Sequence, residues 1–255
     1  HVFTSASVLF SYLKERSIFS EIEELAFLFA AFIHDVDHLG VPNAKLCSDL
    51  HPYAIRYSDR SVAEMRSLEL AFELLQLSEC NFLSHIDNSL FKEFRKIVIT
   101  LVLSTDIADP KQRESSKALV ENGMHSDGSQ KLDVTNEHGR LGALILLMEC
   151  SDVSAPIQGL ATSWYWAESF FKECHSSSDS STGSKTSPAN HNFTGEFQGQ
   201  LAFIEKYIQP LLSRIQSTGI FTDAIGHALM GNTETTAAEW QEDGMANMEK
   251  WIGEC

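Results

Sequence analysis

The sequence predicts an all-α fold, a compact single-domain multi-helix bundle spanning residues 1–255. Two observations carry that expectation. Apolar residues recur at helical spacing in one segment after another, and strand signals are nearly absent, with no clean period-two run and no Asn-Gly hairpin between alternating apolars. At 255 residues the chain can bury a substantial core.

Taken in order, the pattern predicts helices from Val2 to about Leu13 and from Glu21 to His34, broken near Ser17–Ser20. The stretch Asp59-Arg60-Ser61-Val62-Ala63-Glu64 reads as a helix start, with Asp59 or Ser61 as cap and Glu64 completing a capping box. That helix runs through Leu68, Ala71, Phe72 and Leu75. Leu90 to Thr105 repeats the style with Phe91, Phe94, Ile97, Val98, Leu101 and Val102 inside, and Pro110 marks its stop. Residues 110–137 read as a polar loop, and Leu141 to Cys150 as a strongly apolar helix. Trp164 to Cys174 carries Trp166, Phe170 and Phe171 at helical spacing. Residues 175–196 are low-complexity and expected to form a mobile surface loop or lid. Gln198 to Ile215 and Ala237 to Ile252 complete the helices, the last offering Trp240 and Trp251 for docking.

Composition narrows the function. A formal net charge of −16 disfavours a nucleic-acid polymer as partner, although a bound cation can make an acidic protein hospitable to small anions. Five scattered cysteines without a CxxC pair suggest a reduced, cytoplasmic compartment. No run of about eighteen apolar residues occurs, so this segment is not expected to contact a membrane, although it could be the cytosolic part of a larger membrane protein. The first residue is not Met and no signal peptide is visible, so the sequence reads as an excised piece.

The chemistry concentrates at Ala30-Ala31-Phe32-Ile33-His34-Asp35-Val36-Asp37-His38-Leu39-Gly40. On a continuous helix, i, i+4 spacing would put His34 and His38 on one face. The preceding Leu25, Ala26, Phe29, Ala30, Phe32 and Ile33 imply a helix buried on most sides, whose terminal polar groups need partners. A divalent cation is one such partner; a satisfied core histidine is another reading, as are turn and capping roles for Asp37, Gly40, Pro42 and Asn43. Asp152 ends a second apolar helix and Asp106 a third, and either could instead be a cap. Carboxylates with imidazoles suit two divalent ions, zinc together with magnesium or manganese.

His34-Asp35-Val36-Asp37-His38-Leu39-Gly40-Val41-Pro42-Asn43 resembles the metal motif of class I cyclic-nucleotide phosphodiesterases, within the HD superfamily. Tyr57 to Glu64, Ser104-Thr105-Asp106, Cys150-Ser151-Asp152-Val153-Ser154 and Gln200-Leu201-Ala202-Phe203-Ile204 resemble the family's later motifs, in the same order. The resemblance implies a bundle of the phosphodiesterase type that hydrolyses cAMP, cGMP or both to 5′-monophosphates in signal transduction. His34, Asp35 and Asp152 would hold a zinc-like ion, with Asp35 bridging to a magnesium-like one. His38, Glu64 and Asp106 would orient water for in-line attack that expels the 3′ oxygen. Gln200 would hydrogen-bond the purine, with Phe203 and Phe170 as the walls of a clamp. Regulatory domains would lie outside the chain.

Several features depart from that pattern. The family's upstream His-Asn-x-x-His-Ala block, which supplies the general acid and a metal His, aligns before His1, so the segment alone is expected to be incomplete. Met65-Arg66-Ser67 replaces a segment that commonly holds paired histidines, Leu39 stands at a usual Pro, and Ala155 at a frequent Asn. A different HD-type phosphohydrolase and a catalytically degenerate nucleotide-binding or regulatory module are the alternatives.

Overall fold

The computed structural model describes residues 1–14, 16–176 and 193–254. The fold is all-helical, and the only β feature among the described residues is an isolated antiparallel bridge between Met124 and Leu132. The helices are α1 (Val2–Lys14), α2 (Glu21–Ile33), α3 (Asn43–Ser48), α4 (Pro52–Tyr57), α5 (Val62–Leu74), α6 (Asn88–Ser104), α7 (Pro110–Asn122), α8 (Glu137–Asp152), α9 (Leu160–Ser176), α10 (Phe193–Phe203), α11 (Gln209–Ser217) and α12 (Asp223–Glu254). Their contacts divide into two units, His1–Asp152 with Ser217–Ile220, and Val153–Gln216 with Phe221–Cys255.

In the first unit α8 is the axis. Its residues from Leu141 to Met148 are all buried, and α1, α2, α6 and α7 pack on it. Stacked and tilted rings fill the surrounding layers: Phe10 lies 5.5 Å from Phe27, and Phe29 lies 5.4 Å from Phe94. Gly139, near the start of α8, is required by close approach, because a Cβ there would stand 2.0 Å from the Asp133 carbonyl oxygen. Ser20 caps α2 and forms a reciprocal capping box with Glu23. The buried face of α2 is Glu23, Ala26, Phe27, Ala30, Ala31 and Ile33. Phe32 is 71% exposed and Leu25 36%, so α2 is buried along one stripe rather than on most sides as its composition suggested.

Other local readings are also corrected. Residues 110–122 form α7, because Asp109 accepts from the Lys111 N–H as N-cap and Pro110 sits at the tolerated first position. Pro110 therefore begins a helix. Ser61 precedes α5 in a left-handed conformation (φ 36°) and makes no side-chain cap, so the predicted capping box does not form. Asn43 performs the task instead: its Oδ1 accepts from Ala63 N–H and its Nδ2 donates to Glu64. The final helix begins at Asp223, fourteen residues before Ala237.

In the second unit Trp240 of α12 is fully buried, and its indole N–H donates to Ser163 Oγ of α9 at 2.9 Å. Between α10 and α11 the chain passes through a π-helical turn, Ile204–Ile208, closed by Gln209 N–H to the Ile204 carbonyl. The wider turn precedes Pro210, whose ring cannot continue an ordinary α ladder. Most of the stretch read as mobile, 177–192, lies outside the described residues, as does the side chain of Trp251. At its edges residues 175–176 close α9 and 193–196 open α10.

Candidate metal centre and adjoining cleft

Two helices of the first unit deliver polar groups at their C-terminal ends. His34 is the C-cap of α2, its N–H still bonded to the Ala30 carbonyl, and Asp152 is the last residue of α8. His34 is 7% exposed, and its Nδ1 lies 3.1 Å from the Ala31 carbonyl oxygen. A carbonyl can only accept, so Nδ1 carries the ring proton and Nε2 presents a lone pair. That Nε2 stands 3.3 Å from Asp35 Oδ2 and 3.3 Å from Asp152 Oδ1, yet it has no aligned hydrogen-bond partner.

A carboxylate oxygen thus stands 3.3 Å from the ring nitrogen in each of two pairings, and a positive charge there would satisfy these groups. Two zinc ligands with bonds of about 2.0–2.1 Å at the tetrahedral angle are themselves about 3.3 Å apart, so the spacing and the donor types both fit a divalent cation. Among the described residues no three such side chains close around a single point, and the fit rests on the two His34 pairings. The carbonyl ends of α2 and α8 add negative potential at the same place. Without a cation, a proton must serve: burial opposes charge on His34, but the Asp152 and Asp35 carboxylates outweigh it and raise its pKa to about 10. Burial would lift Asp35, but the neighbouring His34 and His38 hold its carboxyl below the ordinary range.

The helix stops at Ile33, and residues 34–37 form turns. His34 and His38 are therefore not on a common helix face, because Asp37 (φ 63°) and Gly40 (φ 64°) bend the chain through left-handed positions. His38 is instead exposed, its Nδ1 accepting from the Gly40 N–H at 3.1 Å. It lines an open cleft of about 210 Å³ with Pro42, Asn43, Glu64, Thr105 and Asp106. The cleft thus gathers His38, Glu64 and Asp106, three residues widely separated in sequence. Asp106 is 5% exposed and accepts from the Asp109 N–H at 3.2 Å. Burial pushes the Glu64 carboxyl up to about 7, opposed by the Asn43 amide and reinforced by the Asp106 and Asp35 carboxylates. Asp35 thus influences both the cleft and the His34 group.

Gln200, Phe203 and Phe170 belong to the second unit. Gln200 and Phe203 are half-buried on α10, three residues apart, and Phe203 stacks on Tyr207 at 5.3 Å with rings 5° from parallel. Phe170 is 56% exposed on α9, 6.2 Å from Phe171, so it is not an ordinary core ring.

The sequence suggested a turn or capping role for Asn43 without naming the helix it caps, and it gave no role to Arg66 or Ser67. Arg66 Nε donates to Asp37 at 2.8 Å, and Ser67 Oγ donates to the Val36 carbonyl at 2.9 Å. Each contact spans roughly thirty residues of chain, and no local pattern announces it. Among the described residues no helix is long and apolar enough to cross a membrane.

The chain is 31% identical over 220 residues to mouse 3′,5′-cyclic-AMP phosphodiesterase 4C, covering 82% of the chain and 31% of that protein. It is 33% identical over 218 residues to isoform F of the Drosophila melanogaster 3′,5′-cyclic-AMP phosphodiesterase, covering 81% of the chain and 32% of that protein. The chain therefore spans about a third of the length of these curated relatives. In fold it resembles the phosphodiesterase domain of the RhoPDE fusion protein from the choanoflagellate Salpingoeca rosetta. The TM-score is 0.80 at 23% identity, over 97% of this chain and 77% of that one. The family description 3′5′-cyclic nucleotide phosphodiesterase matches residues 1–223, and the chain belongs to that family.

Proposed function

We propose that this chain is the catalytic part of an enzyme that hydrolyses a 3′,5′-cyclic nucleotide to the 5′-monophosphate, with cAMP as the first substrate to test. The observation that carries the reading is the buried His34 Nε2 lone pair aimed at Asp35 and Asp152, next to the cleft that holds His38, Glu64 and Asp106. When bound, a zinc ion and a magnesium or manganese ion would supply Lewis-acid activation of water and neutralise charge on the phosphate. His34, Asp35 and Asp152 would hold the tighter ion, with Asp35 shared by both. The Ala31 carbonyl keeps the His34 ring in the tautomer that can ligate. His38 accepts at Nδ1 from Gly40, which leaves its Nε2–H to donate into the cleft. Glu64, with its pKa raised to about 7, can take or give a proton near neutrality, and Asp106 would accept a hydrogen bond from water in the cleft. Gln200 would bond the purine edge and Phe203 would stack on its face, with Phe170 as the opposing wall. Another HD-type phosphohydrolase would need no such clamp, so the presence of Gln200 and Phe203 supports this activity over it.

The test is Asp152→Ala in the full-length protein. Bound divalent metal and cAMP turnover are both expected to fall at least about tenfold. Turnover and metal content equal to wild type would remove Asp152 from the site and the reading with it.

A further inference from the structure

We propose that Arg66 and Ser67 are positioning residues, which clamp the turn after Asp35 from the side of α5 and thereby set the cation affinity of the site. The proposal rests on the hydrolase reading above. Asp35 is followed by a turn with left-handed backbone at Asp37 and Gly40, residue types that tolerate that conformation, and His38 N–H closes it locally on the Asp35 carbonyl. Upstream, the turn is tied to α2 through His34 N–H to Ala30 and Val36 N–H to Ile33. Downstream, its two anchors are adjacent side chains of α5. Ser67 is 1% exposed and its hydroxyl donates to the Val36 carbonyl. Arg66 is 17% exposed; its Nε donates to Asp37 Oδ2 at 2.8 Å and another guanidinium nitrogen to Glu69 at 3.0 Å. The same guanidinium lies 4.8 Å over the Tyr53 ring.

An arginine fixed by two carboxylates and an aromatic face is a rigid anchor, and it holds the second residue after a proposed ligand. Removing it leaves every donor in place but frees the backbone that aims Asp35. Loss of groups that orient a ligand weakens metal binding by about 10–100-fold.

The experiment is calorimetric titration of metal-free, full-length protein with Mn²⁺, alongside cAMP turnover as the wild-type control. Arg66→Met should weaken Mn²⁺ binding by about tenfold or more. Arg66→Lys, which keeps the charge without the fork, should fall between. Asp37→Asn preserves the residue type suited to a left-handed turn and tests the clamp should Arg66→Met fold poorly; it too should weaken binding. The double variant Arg66→Met/Asp37→Asn should be no weaker than the worse single one, because both remove one contact. Arg56→Met, which takes a different partner from Glu69, should leave Mn²⁺ affinity unchanged. Affinity within twofold of wild type in both single variants, additive losses in the double, or an equal loss in Arg56→Met overturns the clamp while the hydrolase reading stands. Wild-type protein that neither binds Mn²⁺ nor turns over cAMP overturns both.

Discussion

Glu23 and Arg140 form a 2.8 Å ion pair that ties the first turn of α2 to the first turn of α8. Eleven residues on from Glu23 lies His34, and twelve on from Arg140 lies Asp152, whose side chains meet at 3.3 Å. Two contacts in the same order mean that the helices run in the same direction, separated along their axes by equal lengths of about 17 Å. The ion pair therefore fixes the register in which the opposite helix ends converge. Glu23 is 2% exposed, and its second oxygen accepts from Ser20 N–H, so the buried carboxylate is fully engaged.

Arg140→Met strands that carboxylate without its counter-charge and is expected to lower stability by about 3 kcal/mol. Adding Glu23→Gln should restore part of the loss, because a neutral amide needs no cationic partner. Urea denaturation of the two variants checks the order: a double variant less stable than Arg140→Met would show that the pair does not act as a unit.

Glu64 should make stability fall with rising pH. An unfolded Glu ionises near 4.5, whereas the fold keeps this one protonated to about 7. The contribution is complete below the unfolded value, and it is lost as pH climbs through that window, since the native state binds more protons there. Glu64→Gln removes the titration. In metal-free buffer it should match wild type near pH 4 and exceed it near pH 8 by on the order of 1–3 kcal/mol. Parallel pH profiles for both proteins would contradict the shift.

Gln200→Ala should raise KM for cAMP with a smaller change in kcat, if its amide bonds the purine. A lost hydrogen bond of about 1–3 kcal/mol corresponds to roughly 5–150-fold. Steady-state kinetics with both cAMP and cGMP decide it, and an unchanged KM for both would remove Gln200 from the pocket.

The thiols should differ sharply in reactivity. Cys150 is fully buried and burial pushes its pKa up to about 12, whereas Cys80 is exposed. Brief alkylation of native protein, mapped by mass spectrometry, should modify Cys80 and spare Cys150 until denaturant is added. Early labelling of Cys150 would mean that α8 opens readily.

The sequence reveals the helices whose burial is periodic. In α6 the apolar spacing from Phe94 to Val102 coincides with the buried residues, and α8 announces itself by an unbroken apolar run. α7 escaped because it buries only Ser116 and Val120, which leaves little period to read, and because an Asp-Pro pair can open a helix as well as follow one. The first turns of α12 escaped because glycine and threonine are weak helix formers, while Thr233 and Thr236 are completely buried, so packing overrides propensity. Within the site, types and spacing singled out His34, Asp35 and Asp152, which the fold brings together. The sequence allows a capping role for Asn43, but which helix it caps, like the grip of Arg66 on Asp37, depends on contacts about twenty and thirty residues away and is visible only in three dimensions.

The π-turn at Ile204–Ile208 sets the phase of what flanks it. Spending one additional residue in a single turn rotates the downstream helix by about 100° relative to an unbroken α-helix. Leu211 and Leu212 are thereby directed inward on an azimuth of their own, independent of the side that presents Gln200 and Phe203. A one-residue deletion within 204–208 would merge the two halves into one regular screw. Either the leucines or the glutamine would then swing about a quarter revolution from their present bearing.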